Sequence, residues 1–282
     1  NKWRASFELV IHFTVKHLIM KKFFVLLFTI VSYQSIAQQP LPFNDSAYFD
    51  GNNFKMPVNV HGSFWHLIDN YDTYSTCLYN KGGYKSLGYS LSLWMGGYDT
   101  NAILHAAATR QVLYGAEYWP GPLQGADTNI SYTLSQNWAK VWKINKSDIQ
   151  TFLATSTHTL INTPTVILEW PAKGNIYAKG RNGATLYIND DMAPFIDVNN
   201  DGNYNALQGD YPKMKGDQML WLVYNDAGPT PHNEITNTPS LGVEVKAMVY
   251  GYKNFTSIDN LMFYEFQLRN KKATLNSFTV GS

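Results

Sequence analysis

Oxygen-bearing side chains recur at alternate positions in one short stretch, Asp197, Asn199 and Asp201, with Gly202 next. Carboxylates and amides spaced by two, followed by a glycine free to turn left-handed, are how a backbone curls its oxygens around a hard cation. With Asp197 as position 1 of a calcium loop, Asn199 falls at 3, Asp201 at 5, Gly202 at 6, Asn203 at 7, Asn205 at 9 and Gln208 at 12. An EF-hand loop uses the same positions, with a backbone carbonyl at 7 and a bidentate Glu at 12. Gln208 is neutral and a poor bidentate ligand, so Asp210, or Asp190 and Asp191 folding back, is expected to supply the missing carboxylate. The predicted ligand set is therefore Asp197, Asn199, Asp201, Asn203, Asn205 and Asp210, and the predicted ion is Ca2+. With so few charges its affinity is expected in the extracellular range, roughly 0.1–1 mM. The same residues could form an Asx-rich turn with no ion. The concentration of charge favours the ion: six acids lie between Asp190 and Asp217, against Lys213 and Lys215 alone.

Other chemistry is thinner. His232 and Glu234 follow a Pro-rich turn and could bind a metal or exchange protons, although a lone His-x-Glu in such a turn is more often solvated. Glu117, Glu169, Glu234 and Glu244 could be nominated as paired carboxylates for glycoside hydrolysis, but sequence spacing says nothing about their separation in space. The chain has no Gly-x-Ser-x-Gly, no phosphate loop, no His-Glu-x-x-His and no metal-spaced cysteines. Trp65, Trp94, Trp119 and Trp170 could stack on sugars, or fill a core.

Composition sets the frame for these residues. Aromatic and charged side chains each make up 15% of the chain, an aromatic-rich balance that suits pleated, half-buried surfaces and predicts a mostly β fold. Met20-Lys21-Lys22, an apolar block from Phe23 to Val31, and Ser35-Ile36-Ala37 read as a cleaved signal peptide, and the block is too short to span a bilayer. Residues 1–19 read as sequence upstream of the start or as an extended leader. Without residues 1–37, five of the 22 basic residues and one of the 21 acidic ones are lost, which leaves 17 against 20 and a net charge of −3. No basic run argues for nucleic acid or an anionic membrane. Cys77 is the single cysteine and reads as a small buried hydrophobe.

The elements expected to position the loop follow from periodicity. Residues 38–57 read as an extended lead-in, and Gly82-Gly83 marks a turn. Leu87 to Met95 reads as a strand stopped by Gly96-Gly97, with Asn101 to Thr109 as the second strand of a hairpin. Ser135 to Ile144 is expected to be helical, and a second helix is expected to start at Ser147, with Gln150 three residues on completing a capping box and Ile149, Phe152 and Leu153 buried. The two form a small helical insert packed on a sheet. Asp217 to Tyr224 is nearly all apolar and predicts a central strand. Leu241 to Tyr252 and Leu261 to Arg269 alternate, which predicts antiparallel, sandwich-like sheets solvated on one side. Another strand begins at Phe278. The expected organisation is a single β-rich domain over 38–282, truncated at its C-terminus.

Several stretches together resemble one family. They are Leu91-Ser92-Leu93-Trp94-Met95-Gly96-Gly97-Tyr98-Asp99, Tyr118-Trp119-Pro120-Gly121-Pro122-Leu123, Ala193 to Gly202 with Gly209-Asp210-Tyr211-Pro212, and Lys215-Gly216-Asp217-Gln218 with Asn260-Leu261-Met262-Phe263-Tyr264. Over about residues 48–282 the chain is similar to the N-terminal region of large exported proteins of type IX secretion bacteria, which usually carry a C-terminal type A sorting domain. The resemblance implies export and brings no activity with it. Two functions are expected on these grounds. The first is a secreted or cell-surface domain without catalytic activity, stabilised by calcium, that serves adhesion or ligand binding, with a surface glycan or protein as its ligand. The second is a carbohydrate-active hydrolase using acids among Glu169, Glu234 and Asp226.

Overall fold

The structure, a computed structural model, describes residues 45–66, 77–81, 83, 85–109, 117–125, 129–232, 235–254, 257–272 and 275–281. The expected signal peptide and Glu234 lie outside the described residues. Those described belong to one compact unit, Leu41–Ser282. Among them strands dominate, every ladder is antiparallel, and no helix is long and apolar enough to cross a membrane.

Three sheets carry the chain. The first contains β1 (Ser46–Phe49), β2 (Phe54–Asn59), β3 (Ser63–Phe64), β4 (Cys77–Tyr79), β5 (Lys85–Gly88) and β6 (Leu91–Ser92), in the order β5-β4-β2-β3-β6 with β1 also paired to β2. The second joins β7 (Trp94–Asp99) to β8 (Leu104–Ala107) on one side and to β16 (Leu275–Gly281) on the other. The third is built on β13 (Gln218–Asn225) and runs β10 (Trp142–Asn145), β13, β14 (Val243–Gly251), β15 (Phe263–Asn270), with β9 (Trp119–Pro120) also paired to β13.

All eight residues of β13 are buried, and the pleat explains why. Successive side chains point to opposite faces. Leu220, Leu222 and Tyr224 enter one core with Phe49, Met56, Val58 and Phe64 of the first sheet. Met219, Trp221 and Val223 enter a second core with Trp138, Trp142, Phe152, Ile167 and Trp170. The expected central strand is thus sandwiched by a sheet on one face and by a helical, loop-rich layer on the other. That second layer corrects the expectation of a solvated face: on β14 even Glu244 is fully buried. Cys77 is fully buried in the first core, and burial pushes its thiol up to about 11.

Several boundaries differ from the sequence reading. The extended lead-in contains the β1–β2 hairpin. The strand expected over Leu87–Met95 is divided among β5, β6 and β7. Gly96-Gly97 does not stop it: both glycines lie inside β7, where Gly97 faces His105 of β8 on one side and Phe278 of β16 on the other. The turn comes later, where Asp99 Oδ1 accepts from the Asn101 and Ile103 amides and Ala102 takes a positive φ of 59°. Helix α1 (Tyr132–Trp138) begins earlier and ends sooner than expected, because Trp142–Asn145 is drawn into β10 opposite Trp221–Gln218. Helix α2 (Lys146–Leu153) is capped by Asn145, with Asp148 completing the box in place of Gln150. Its Phe152 is buried as expected, while Leu153 is exposed. A third short helix, α3 (Thr165–Leu168), was not anticipated.

Candidate functional site

A two-stranded ladder, β11 (Phe195–Ile196) with β12 (Tyr211–Pro212), brackets the acidic loop so that its two ends leave side by side. Asp210 then ties the loop's stem. It is fully buried, and its two oxygens accept from the Val198 and Asn205 amides, both at 2.8 Å. Tyr204 anchors the middle of the loop: its ring meets Phe195 edge-on at 5.4 Å and its hydroxyl donates to the Ile167 carbonyl of α3 at 2.6 Å. Burial, with the Asp210 charge nearby, raises the Tyr204 phenol well above its usual range, so it remains a donor.

Outside this anchored stem the loop curls on its own side chains. Asp197 accepts from the Asp201 amide at 3.3 Å and the Gly202 amide at 2.8 Å. Asn199 Oδ1 accepts from the Asp201 amide at 3.2 Å, and Asp201 Oδ1 from the Asn203 amide at 2.8 Å. Positive φ at Asn200 and Gly202 makes the bend. The Asn199 amide nitrogen stands 2.9 Å from Asp201 Oδ2 and 3.0 Å from Gln208 Oε1, donating to both.

The nominated ligands therefore take different places. Asp197, Asn199 and Asp201 gather at the turn, where carboxylate and amide oxygens are the donors that suit a hard divalent cation. Asn203 lies with its side chain against Gly174. The Asn205 side chain accepts from the Leu207 amide and caps the 3-10 turn Ala206–Gln208, and Asp210 faces inward. Gln208, passed over for its missing charge, is the residue whose side chain reaches Asn199. Its position in the loop spacing was the signal for it. Asp190 and Asp191 turn away: Asp190 meets Lys271 at 3.5 Å and Asp191 meets Lys173 at 3.7 Å. Among the described residues no three His, Cys, Asp or Glu side chains gather to hold a metal, so an ion here would rely on amide and backbone oxygens.

The acids nominated for hydrolysis are engaged elsewhere. Glu169 pairs with Lys140 at 3.3 Å. Glu244, fully buried, accepts from the Leu123 amide at 3.0 Å and lies 3.8 Å from Lys271. Glu117 is buried under four donors, the Ala108, Ile235 and Thr236 amides and the Thr236 hydroxyl. Asp226, at the end of β13, is fully buried and accepts from the Leu241 and Val243 amides. Burial pushes its carboxyl up, opposed by those amides and by His232. His232 thus sits with Glu117, 4.0 Å away, a partner from a distant part of the chain that no local spacing could reveal. No family model, curated protein or solved structure matches this chain.

Proposed function

We propose that this is a secreted or cell-surface binding domain, in which calcium orders the Asp197–Gln208 turn and an aromatic sheet face meets a surface glycan or protein ligand. The observation that carries the reading is on β7. Trp94 and Tyr98 are 59% and 57% exposed and alternate with buried Met95 and Gly97, so they share the outer face. Gly96 lies between them, about 13 Å separating the two positions along the strand. Leu104, 45% exposed, stands directly opposite Tyr98 on β8. Two large rings with only a glycine between them offer a flat surface for stacking, which costs little conformational entropy because aromatic side chains have few rotatable bonds. Export rests on the leader-like segment and on the family resemblance.

Two measurements test the reading. The double variant W94A/Y98A should lose retention on a panel of immobilised glycans and surface proteins while melting within about 0.5 kcal/mol of the parent, because both side chains are exposed. Equal retention of parent and variant, or no retention of the parent by any member of the panel, would count against the binding face. Independently, chelation should lower the melting temperature of the parent but not of D201A. A melt unchanged by chelator removes calcium from the proposal.

A further inference from the structure

We infer that β15 is a dimerisation edge, to which a second copy of this chain adds its own β15, antiparallel about Gln267. β15 ends the third sheet: it pairs with β14 over eight consecutive residues without a bulge, and no strand among the described residues lies on its other side. The Lys271 amide donates to the Gly242 carbonyl at 2.9 Å, which fixes the phase of the ladder. In an antiparallel pair alternate residues turn their backbone groups to the same neighbour. Phe263, Glu265, Gln267 and Arg269 therefore bond β14, and the amides and carbonyls of Tyr264, Phe266 and Leu268 point outward. Among the described residues none of those outward groups has a hydrogen-bond partner.

Open edges are normally blunted, because a row of unpaired backbone groups is a template for another strand. The other edges of this molecule show how. β5 is exposed, carries Lys85 and pairs with β4 in an irregular register, and the outward amide of Ala106 on β8 is taken by the Thr238 hydroxyl. β15 has no proline and no bulge, and its two charged residues, Glu265 and Arg269, are opposite in sign. Its Tyr264, Phe266 and Leu268 side chains pack on the first core and stay partly exposed.

Charge selects the second copy and the register. Two antiparallel copies bond in phase only where outward residues face outward residues, and centring on Gln267 does this along the whole strand. Phe266 of each copy then meets Leu268 of the other, and Glu265 of each meets Arg269 of the other. The charged residues fall at non-hydrogen-bonded positions, where facing side chains stand closest. Within one chain Arg269 is exposed, has no ion-pair partner and lies among cations, Lys246 and Lys271. Glu265 holds Lys215 through Oε2, which leaves Oε1 to accept from the arginine of the other copy. The two Gln267 amides meet on the axis, and each offers both donors and an acceptor. Such a contact is isologous, so the charged pair forms twice and the assembly closes at two chains.

The test is sedimentation of the folded chain over a concentration series, with amide exchange read residue by residue along β15. The expected result is a reversible dimer in which the Tyr264, Phe266 and Leu268 amides are protected and lose that protection on dilution, while the amides bonded to β14 keep theirs. R269E sets like charges against each other at both symmetric pairs and should raise the dimer dissociation constant about 10-fold or more. Its fold is retained, because Arg269 is exposed and pairs with nothing in its own chain. The inference is overturned by a parent that stays monomeric at its highest soluble concentration, by a dimer whose outward β15 amides exchange as freely as in the monomer, or by R269E associating as tightly as the parent.

Discussion

Asp201 and Asp210 carry the same carboxylate in the same loop, and their surroundings separate them. Asp201 lies at the exposed turn, where one oxygen accepts from Asn203 and the other faces the Asn199 amide. Asp210 is fully buried, with one oxygen committed to each of two backbone amides. D210N must therefore point its amide nitrogen at either the Val198 or the Asn205 N–H, leaving two donors face to face. It is expected to lose about 1–3 kcal/mol in urea unfolding, by the same amount with and without calcium. A D210N chain as stable as the parent would show that the stem does not depend on this carboxylate. The alternate spacing of Asp197, Asn199 and Asp201 was legible in the sequence because ligand spacing and Asx-turn spacing are the same local geometry. The inward turn of Asp210 was not, since it depends on the β11–β12 ladder that brings Val198 beside the far end of the loop.

At the scale of elements, pairing decided where periodicity left a choice. Trp138, Val141 and Trp142 share a helical face in sequence, yet only Trp138 stays in a helix, because Trp142 gains Trp221 as its cross-strand partner at 5.5 Å. Gly96-Gly97 looks like a stop signal, but both residues pair with β8 on one side and β16 on the other, and that pairing carries the strand through them. Strands that alternate or are wholly apolar, such as β13, β14 and β15, were readable because two faces and two cores impose that pattern directly. The junction of α2 with the end of β14 depends on one carboxylate: Asp217 accepts from the Lys253 amide and from the Lys146 ammonium, at 2.8 and 2.9 Å. The Lys253 amide, opposed by partial burial and assisted by Lys146, lowers its pKa below the usual 3.8. A depressed carboxylate stabilises the fold above its unfolded value, and the contribution disappears as pH falls through the folded one. D217N should accordingly cost about 1 kcal/mol at pH 7, a charged hydrogen bond discounted for exposure, and almost nothing once acid has protonated the parent carboxylate. A penalty that stays constant from pH 7 to acid would contradict this.

Across the whole molecule, the two cores meet at the sheet they share, where β13 gives alternate side chains to each, and Leu134 of α1 packs against both. Four of the eight tryptophans, Trp138, Trp142, Trp170 and Trp221, belong to the second core, so intrinsic fluorescence is weighted to that side. Phe64 lies in the first core, fully buried against Tyr264 and Phe266 at 5.5 and 5.8 Å. A strand filled on both faces cannot keep one core when the other is lost, because the exposed side would present Leu220, Leu222 and Tyr224 to water while the strand is still held. F64A should therefore destabilise by about 3–5 kcal/mol and move the tryptophan melt together with the far-ultraviolet circular dichroism melt. I167A, a cavity in the second core, should move both signals by about 2–5 kcal/mol in the same way. Tryptophan melts that ignore F64A, or two resolved transitions in a calorimetric scan of either variant, would mean that the layers unfold separately and that β13 does not couple them.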